Sequence, residues 1–290
     1  QGLVGFGSYC GRNGGSALQG VFHMKKYFSF FKIRFIHGLQ YRAAAYAGIA
    51  TQFAWGGLTL LMFAAFYKTG ASSFPMTFPE LSSYIWLQQA FLALFMTWYF
   101  DNDIMNSIVT GNIAYELCRP IDLYVMWFLK NIAVRSSRAV LRCFPVLIIA
   151  FCLPEPFNMS LPKTFSSGFL FLLSVIMGFM VLTAFNMLVY ITMFYTVSPM
   201  GIRILAVSLL EFLTGAIIPI PFFPEGLKKV LLLLPFGSMQ NTPFLIYNGY
   251  LSGPEIGQGL LLQTGWLLGL TVLGYLYMKK ALLRTTVQGG

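Results

Sequence analysis

The sequence predicts an all-α polytopic membrane protein with six transmembrane helices and both termini in the cytosol. Three observations carry that expectation. First, 57% of the 290 residues are hydrophobic and only 10% are charged, with a mean hydropathy of +0.70. Soluble domains are about 25% charged. Second, the apolar residues collect into charge-poor runs, and about 20 such residues suffice to cross the hydrocarbon. Third, the basic residues stand just outside those runs. With a cytosolic N-terminus and six crossings, 15 of the 19 Lys and Arg residues fall inside and 4 outside. The positive-inside rule then selects N-in and C-in.

Residues 1–23 are Gly-rich and lack the basic start and apolar core of a secretory signal. Because Met24-Lys25-Lys26 reads like a natural start, an appended or misread upstream segment without regular structure is expected over 1–23. From Met24 to Arg42, Phe28, Phe31, Phe35 and Leu39 recur at helical spacing, with Lys25, Ser29 and Lys32 on another face. This predicts an amphipathic helix in the headgroup plane against membrane lipid. The other reading is the plain cytosolic start of the first span.

The first span is expected at about Ala43–Phe66, without a charge. The second is expected at about Leu81–Phe100 and holds Gln88 and Gln89. Amides inside a span bond a neighbouring helix or face a polar path. Asp101–Asp122 is the first long polar stretch. Asp101 and Asp103 could imitate a paired-carboxylate site, but a solvated helix end accounts for them. One long helix is expected from about Leu123 to Leu153. Lys130, Arg135 and Arg138 place its first half in the cytosol or interface, and Arg142 snorkels. The fourth span is expected at about Phe169–Val197 and the fifth at about Arg203–Ile220. A Pro-broken apolar stretch over about Pro221–Asn248 suits a re-entrant or interfacial hairpin. The sixth span is expected at about Ile256–Met278, ahead of a basic tail.

Several chemistries are excluded by what the residues lack. There is no GxxxxGK[ST], HExxH or GxSxG motif, and the four Cys and two His residues show no metal-ligand spacing. No metal site is expected, and no catalytic residue. Net charge is +10, but its scatter between apolar runs argues against nucleic acid. Glu211 is the one carboxylate inside an expected span. A charge at that depth must face protein or water, pair, or be protonated. A structural partner, a place on a transport path and a proton relay all remain open for it. Leu210 or Phe212 is expected on the lipid side.

The stretch Gly111-Asn112-Ile113-Ala114-Tyr115-Glu116-Leu117-Cys118-Arg119-Pro120-Ile121-Asp122 resembles the G-x-x-x-x-x-L-x-R-P loop of one bacterial branch of ABC-2-type permeases. Gly215-Ala216-Ile217-Ile218-Pro219-Ile220-Pro221-Phe222-Phe223-Pro224, followed by Leu234-Pro235-Phe236, resembles the end of span five and its hairpin in the same family. Over about Met24–Leu283 the order of parts is similar to the transmembrane subunit of a bacterial ABC exporter. That resemblance implies an interfacial N-terminal helix over 24–42, a six-helix domain over 43–290, a cytosolic coupling helix and an extracellular broken hairpin before the last span.

The resemblance also implies a role for particular residues. Ile104, Met105, Ile108, Val109, Gly111, Ile113, Glu116 and Arg119 would couple the chain to an ATPase, through a helix near Ile104–Tyr115. Gly111 would serve a turn with positive φ or a close approach, unless it is an ordinary loop glycine. Gln88, Gln89 and Glu211 would lie on the substrate path, and Pro219, Phe222 and Phe223 at an outer gate. Partners would be ATP-binding ABC subunits, which hold the ATP and magnesium, and a second permease, identical or related. The chain itself would carry no cofactor and no enzyme site. Its place would be the bacterial inner membrane. The rival class is an ion-gradient-driven secondary transporter, which should show ionisable residues in several spans and an internal repeat. A non-transporting scaffold is a third class.

Overall fold

A computed structural model describes residues 16–70, 74–162, 164–196 and 199–283. The leader expected over 1–23 falls largely outside these residues. Among the described residues the chain is helical throughout: α1 (Ser16–Leu39), α2 (Arg42–Gly70), α3 (Phe78–Ala90), α4 (Leu92–Phe95), α5 (Asn102–Val109), α6 (Ile113–Leu117), α7 (Leu123–Cys152), α8 (Phe165–Thr192), α9 (Pro199–Leu213), α10 (Glu225–Leu233), α11 (Thr242–Asn248) and α12 (Pro254–Leu282). The first helix thus begins upstream of Met24.

Among the described residues, three stretches are long and apolar enough to cross a membrane: Arg42–Gly70, Phe165–Tyr195 and Pro254–Leu282. A fourth arises if the bent pair Glu225–Leu233 and Gly237–Asn248, which meet at 83°, counts as one. Of the three continuous stretches the most enclosed is the one that contains α8, whose inward residues include Phe171, Val175, Leu182 and Met187. Gly178 of α8 faces the π-helical turn Gly237–Asn241 so closely that a Cβ would collide with the Met239 carbonyl oxygen. That glycine lets the broken hairpin lie against α8 backbone to backbone.

Two expected spans are not continuous. The second stops at Ala90, makes one further turn as α4 and then leaves the helical conformation. The cause is Arg135, fully buried on α7. Its Nη1 donates to the carbonyls of Leu94 and Met96 at 3.0 and 2.8 Å, and its Nη2 to Tyr99 at 2.8 Å. Helix ends leave carbonyls without partners, and here a cation from another helix satisfies them. The fifth expected span ends at Leu213, short of Ile220. Thr214 bonds back to the Leu210 carbonyl at 2.6 Å, and Gly215 takes a φ of 76°. At 15 residues, α9 measures about 22 Å at 1.5 Å per residue. The long helix read from Leu123 to Leu153 appears as α7. Its Lys130 and Arg135 are buried against protein, however, and not set in solvent as their charge suggested.

Candidate functional site

Two regions gather the residues that the sequence singled out. The first is a cavity of about 650 Å³ between α2, α3, α4 and the end of α9. Gln88, Gln89 and Glu211 all line it, although they come from separate segments. Gln88 is held: its Nε2 donates to the Gly215 and Ala216 carbonyls at 3.3 and 2.6 Å, which serves the carbonyls released where α9 ends. Gln89 keeps an unpartnered Oε1. Glu211 is half-buried, and no hydrogen bond or ion pair reaches it among the described residues. Leu210, expected toward lipid, is fully buried, because it points from α9 into the main core. Phe212 is exposed as expected.

The cavity also holds residues that sequence reading passed over. Gln52 is 2% exposed, yet neither of its amide atoms has a partner. Thr97 Oγ1 is likewise unpaired, and Gln240 donates to Thr214. Trp55 and Trp98 add aromatic walls. An amide inside the charge-free first span was the available signal for Gln52. Buried polar atoms without partners are rare in folded chains, so their concentration here marks a place for water or a ligand. Of the residues read as an outer gate, Pro219 is buried and Phe222 packs between Phe63 and Phe74 at centroid distances of 5.5 and 5.8 Å. Phe223 stands edge-on to Phe212 at 5.3 Å.

The second region is the polar stretch before α7. Asp101 caps α5 by accepting from the backbone N–H groups of Asp103 and Ile104 at 2.9 and 3.2 Å. The same carboxylate accepts from Lys130 at 2.8 Å, and Asp103 accepts from Lys130 at 2.9 Å. The Asp101 backbone N–H donates to the Tyr190 hydroxyl at 2.6 Å. Asp101 is therefore a buried tie between α5, α7 and α8, where the sequence suggested a solvated helix end. Asp103 does remain exposed. The Lys130 hydrogen bond, and then its charge, hold the Asp103 carboxyl below its ordinary value against the opposing effect of burial.

The helix read near Ile104–Tyr115 is two short helices, α5 and α6, joined at Gly111. The φ of Gly111 is 73° and a Cβ there would meet nothing, so the turn and not a close approach requires glycine. The apolar residues of this element divide. Ile104, Met105 and Ile113 were assigned to docking on a partner, but they are buried in the chain's own second core with Trp127 and Tyr190. They anchor the element, and Ile108 packs partly beside them. Val109 is exposed, as are Tyr115 and Leu117. Glu116 accepts from Trp127 Nε1 at 2.6 Å, while Arg119 is exposed. From α1, Lys26 donates to the Pro120 carbonyl at 3.0 Å and fixes the end of the loop.

This arrangement suits an element that is clamped on one side and open on the other. The family described as ABC-2 family transporter protein matches residues 53–289. The chain belongs to the ABC-2 transporter family. No curated protein matches the sequence significantly. Membership makes this protein an ABC-2 permease, a membrane subunit of a kind that works with ATP-binding subunits. The matched residues include the α5–α6 element and all of the cavity lining except Thr51 and Gln52. The ion-gradient carrier is not favoured by this membership.

Proposed function

We propose that the protein is the permease subunit of an ATP-driven ABC exporter in the bacterial inner membrane. It would have six crossings and both ends in the cytosol. Two ATPase subunits power it, and a second permease, the same chain or a related one, completes the path. The cavity of Gln88, Gln89 and Glu211 lies on that path, and α5–α6 receives the motion of the ATPase. The observation that carries this reading is the α5–α6 element itself. Its inner face is locked to α7 and α8 through Asp101, Ile104 and Ile113, and its outer face offers Val109, Tyr115 and Leu117. A rigid element with one bound face and one free apolar face can carry a partner's displacement into the bundle.

Changing Val109 and Tyr115 together to Asp is expected to reduce co-purification of an ATP-binding ABC partner subunit by at least tenfold. Exposed apolar anchors commonly dominate such interfaces. The permease's own melting temperature should not change, since neither side chain is buried. Undiminished ATPase association would refute the assignment. In the same element, a Cys at Tyr115 should react with an impermeant maleimide only from the cytosolic side.

Glu211→Gln is expected to change which amphipathic dyes stimulate ATP hydrolysis by the assembled complex. Its melting temperature should stay near the parent's, because Glu211 has no bonded partner to lose. A large loss of stability with an unaltered dye profile would assign Glu211 a structural role instead.

A further inference from the structure

The basic residues of α1 and α7 converge on a second cavity, of about 480 Å³, enclosed by α1, α2, α7 and the segment after α4. Its charged walls are Arg34, Lys130, Arg138 and Arg142 against Asp101 and Asp103, four positive charges against two negative. Lys130 is engaged by both aspartates. Arg34, Arg138 and Arg142 have no carboxylate partner within ion-pair distance among the described residues.

Two of these guanidiniums are held by the fold. Arg138 lies over the Tyr99 ring, with Cζ 4.3 Å from its centroid. Arg142 donates through Nη2 to the Ala44 carbonyl at 3.2 Å. It occupies a groove that Gly48 leaves open: a Cβ at position 48 would stand 2.5 Å from the Arg142 Cζ. Its Nε is buried without a partner. Arg34 enters from the opposite wall on α1, with Cζ 5.4 Å from the Phe30 ring. The remaining lining is mainly small or apolar, including Ala44, Ala45, Val134 and Leu141.

Like charges confined together repel, and more strongly where water is partly excluded. Guanidiniums match the geometry of phosphate oxygens through paired N–H donors. Basic pockets between spanning helices on the cytosolic side are suited to anionic headgroups. We propose that this cavity binds a phosphate-bearing anion, with an anionic phospholipid headgroup and a free phosphate as its two possible sources. Arg138 and Arg142 contact the phosphate, Arg34 closes over it, and Ala44, Ala45 and Leu141 meet the adjoining carbon atoms. The inference rests on the cytosolic placement of α1 and the first half of α7 in the proposed topology, and not on export.

The test is thermal melting of the full chain in neutral detergent, titrated separately with phosphatidylglycerol, phosphatidylcholine and inorganic phosphate. Phosphatidylglycerol should raise the melting temperature, and phosphatidylcholine should do so much less. In Arg138→Gln/Arg142→Gln the concentration needed should rise at least tenfold. Gly48→Leu keeps every charge but displaces Arg142, and should weaken binding likewise. Lys280→Gln, which removes an exposed charge elsewhere, should behave as the parent. Arg34→Gln breaks no hydrogen bond and gives the same readout if the other variants do not fold. Protection by inorganic phosphate alone, lost in the arginine variants, makes free phosphate the source. Equal protection of parent and arginine variants, or protection of neither, overturns the proposal.

Discussion

Arg135→Leu is expected to destabilise the protein by about 3 kcal/mol or more, the largest loss from any single side chain outside the apolar core. Leucine fills part of the space but donates nothing. The carbonyls of Leu94, Met96 and Tyr99 would then be buried without partners. Each such orphan costs about 1–3 kcal/mol, offset in part because the buried charge is also gone. Arg135→Lys should fall between parent and leucine variant, because one ammonium cannot span three carbonyls as a planar fork does. Melting in detergent and protease sensitivity near Phe95–Tyr99 would report both changes. A leucine variant that melts within a degree of the parent would show that the break after α4 does not depend on Arg135.

The contrast between the intact and the broken spans explains what sequence could reveal. The helices α2, α8 and α12 are legible because a long charge-poor run has few alternatives to a continuous helix in lipid. The break after α4 is made by a distant partner, and the one after α9, where Thr214 and Gly215 turn the chain locally, is completed by another. Arg135 comes from α7, and Gln88 reaches the Gly215 and Ala216 carbonyls from α3. Neither pairing leaves a local signal. Counting charges misled for the same reason. It treats Lys130 and Arg135 as surface cations, whereas Asp101 and a set of freed carbonyls draw them inside. Gln88, Gln89 and Glu211 could each be singled out because polar groups in apolar runs need polar surroundings, and the family resemblance put them on one path. The same argument reaches Gln52, while Gln240 is hidden in the irregular hairpin. The division of the α5–α6 apolar residues into anchors and free surface was beyond the sequence. Ile104 and Val109 look alike until the helix is seated on α7.

The tie at Asp101 should prove the link between ATPase contact and the spans. Asp101→Ala removes the cap of α5, the Lys130 ion pair at 2.8 Å and, among the described residues, the only buried carboxylate paired with that ammonium. Breaking a buried pair from one side costs about 3–5 kcal/mol. The cost here should lie toward the low end, because the exposed Asp103 still holds Lys130 at 2.9 Å. Lys130→Met should also destabilise, and the double variant should be less damaged than the sum, by about 0.5–3 kcal/mol as expected for groups in one network. Acid provides an independent check. The folded-state carboxyl of Asp103 is held below its ordinary value, so its contribution is complete at neutral pH and disappears as pH falls through that depressed value. In Lys130→Met the two largest causes of the depression are absent and only the charge of Arg34 remains, so that acid-side loss should shrink. The functional readout is a Cys placed at Thr51 in the large cavity, whose labelling should change when ATP is added to the parent complex. In Asp101→Ala, the ATPase should still bind through Val109 and Tyr115, and hydrolysis should continue. The ATP-dependent change in labelling should be reduced, because α5 loses its buried ion-pair tie to α7 while Ile104, Ile113 and the Asp103–Lys130 pair still seat it there. Additive stabilities together with an unchanged ATP response at Thr51 would mean that the coupling runs through another contact.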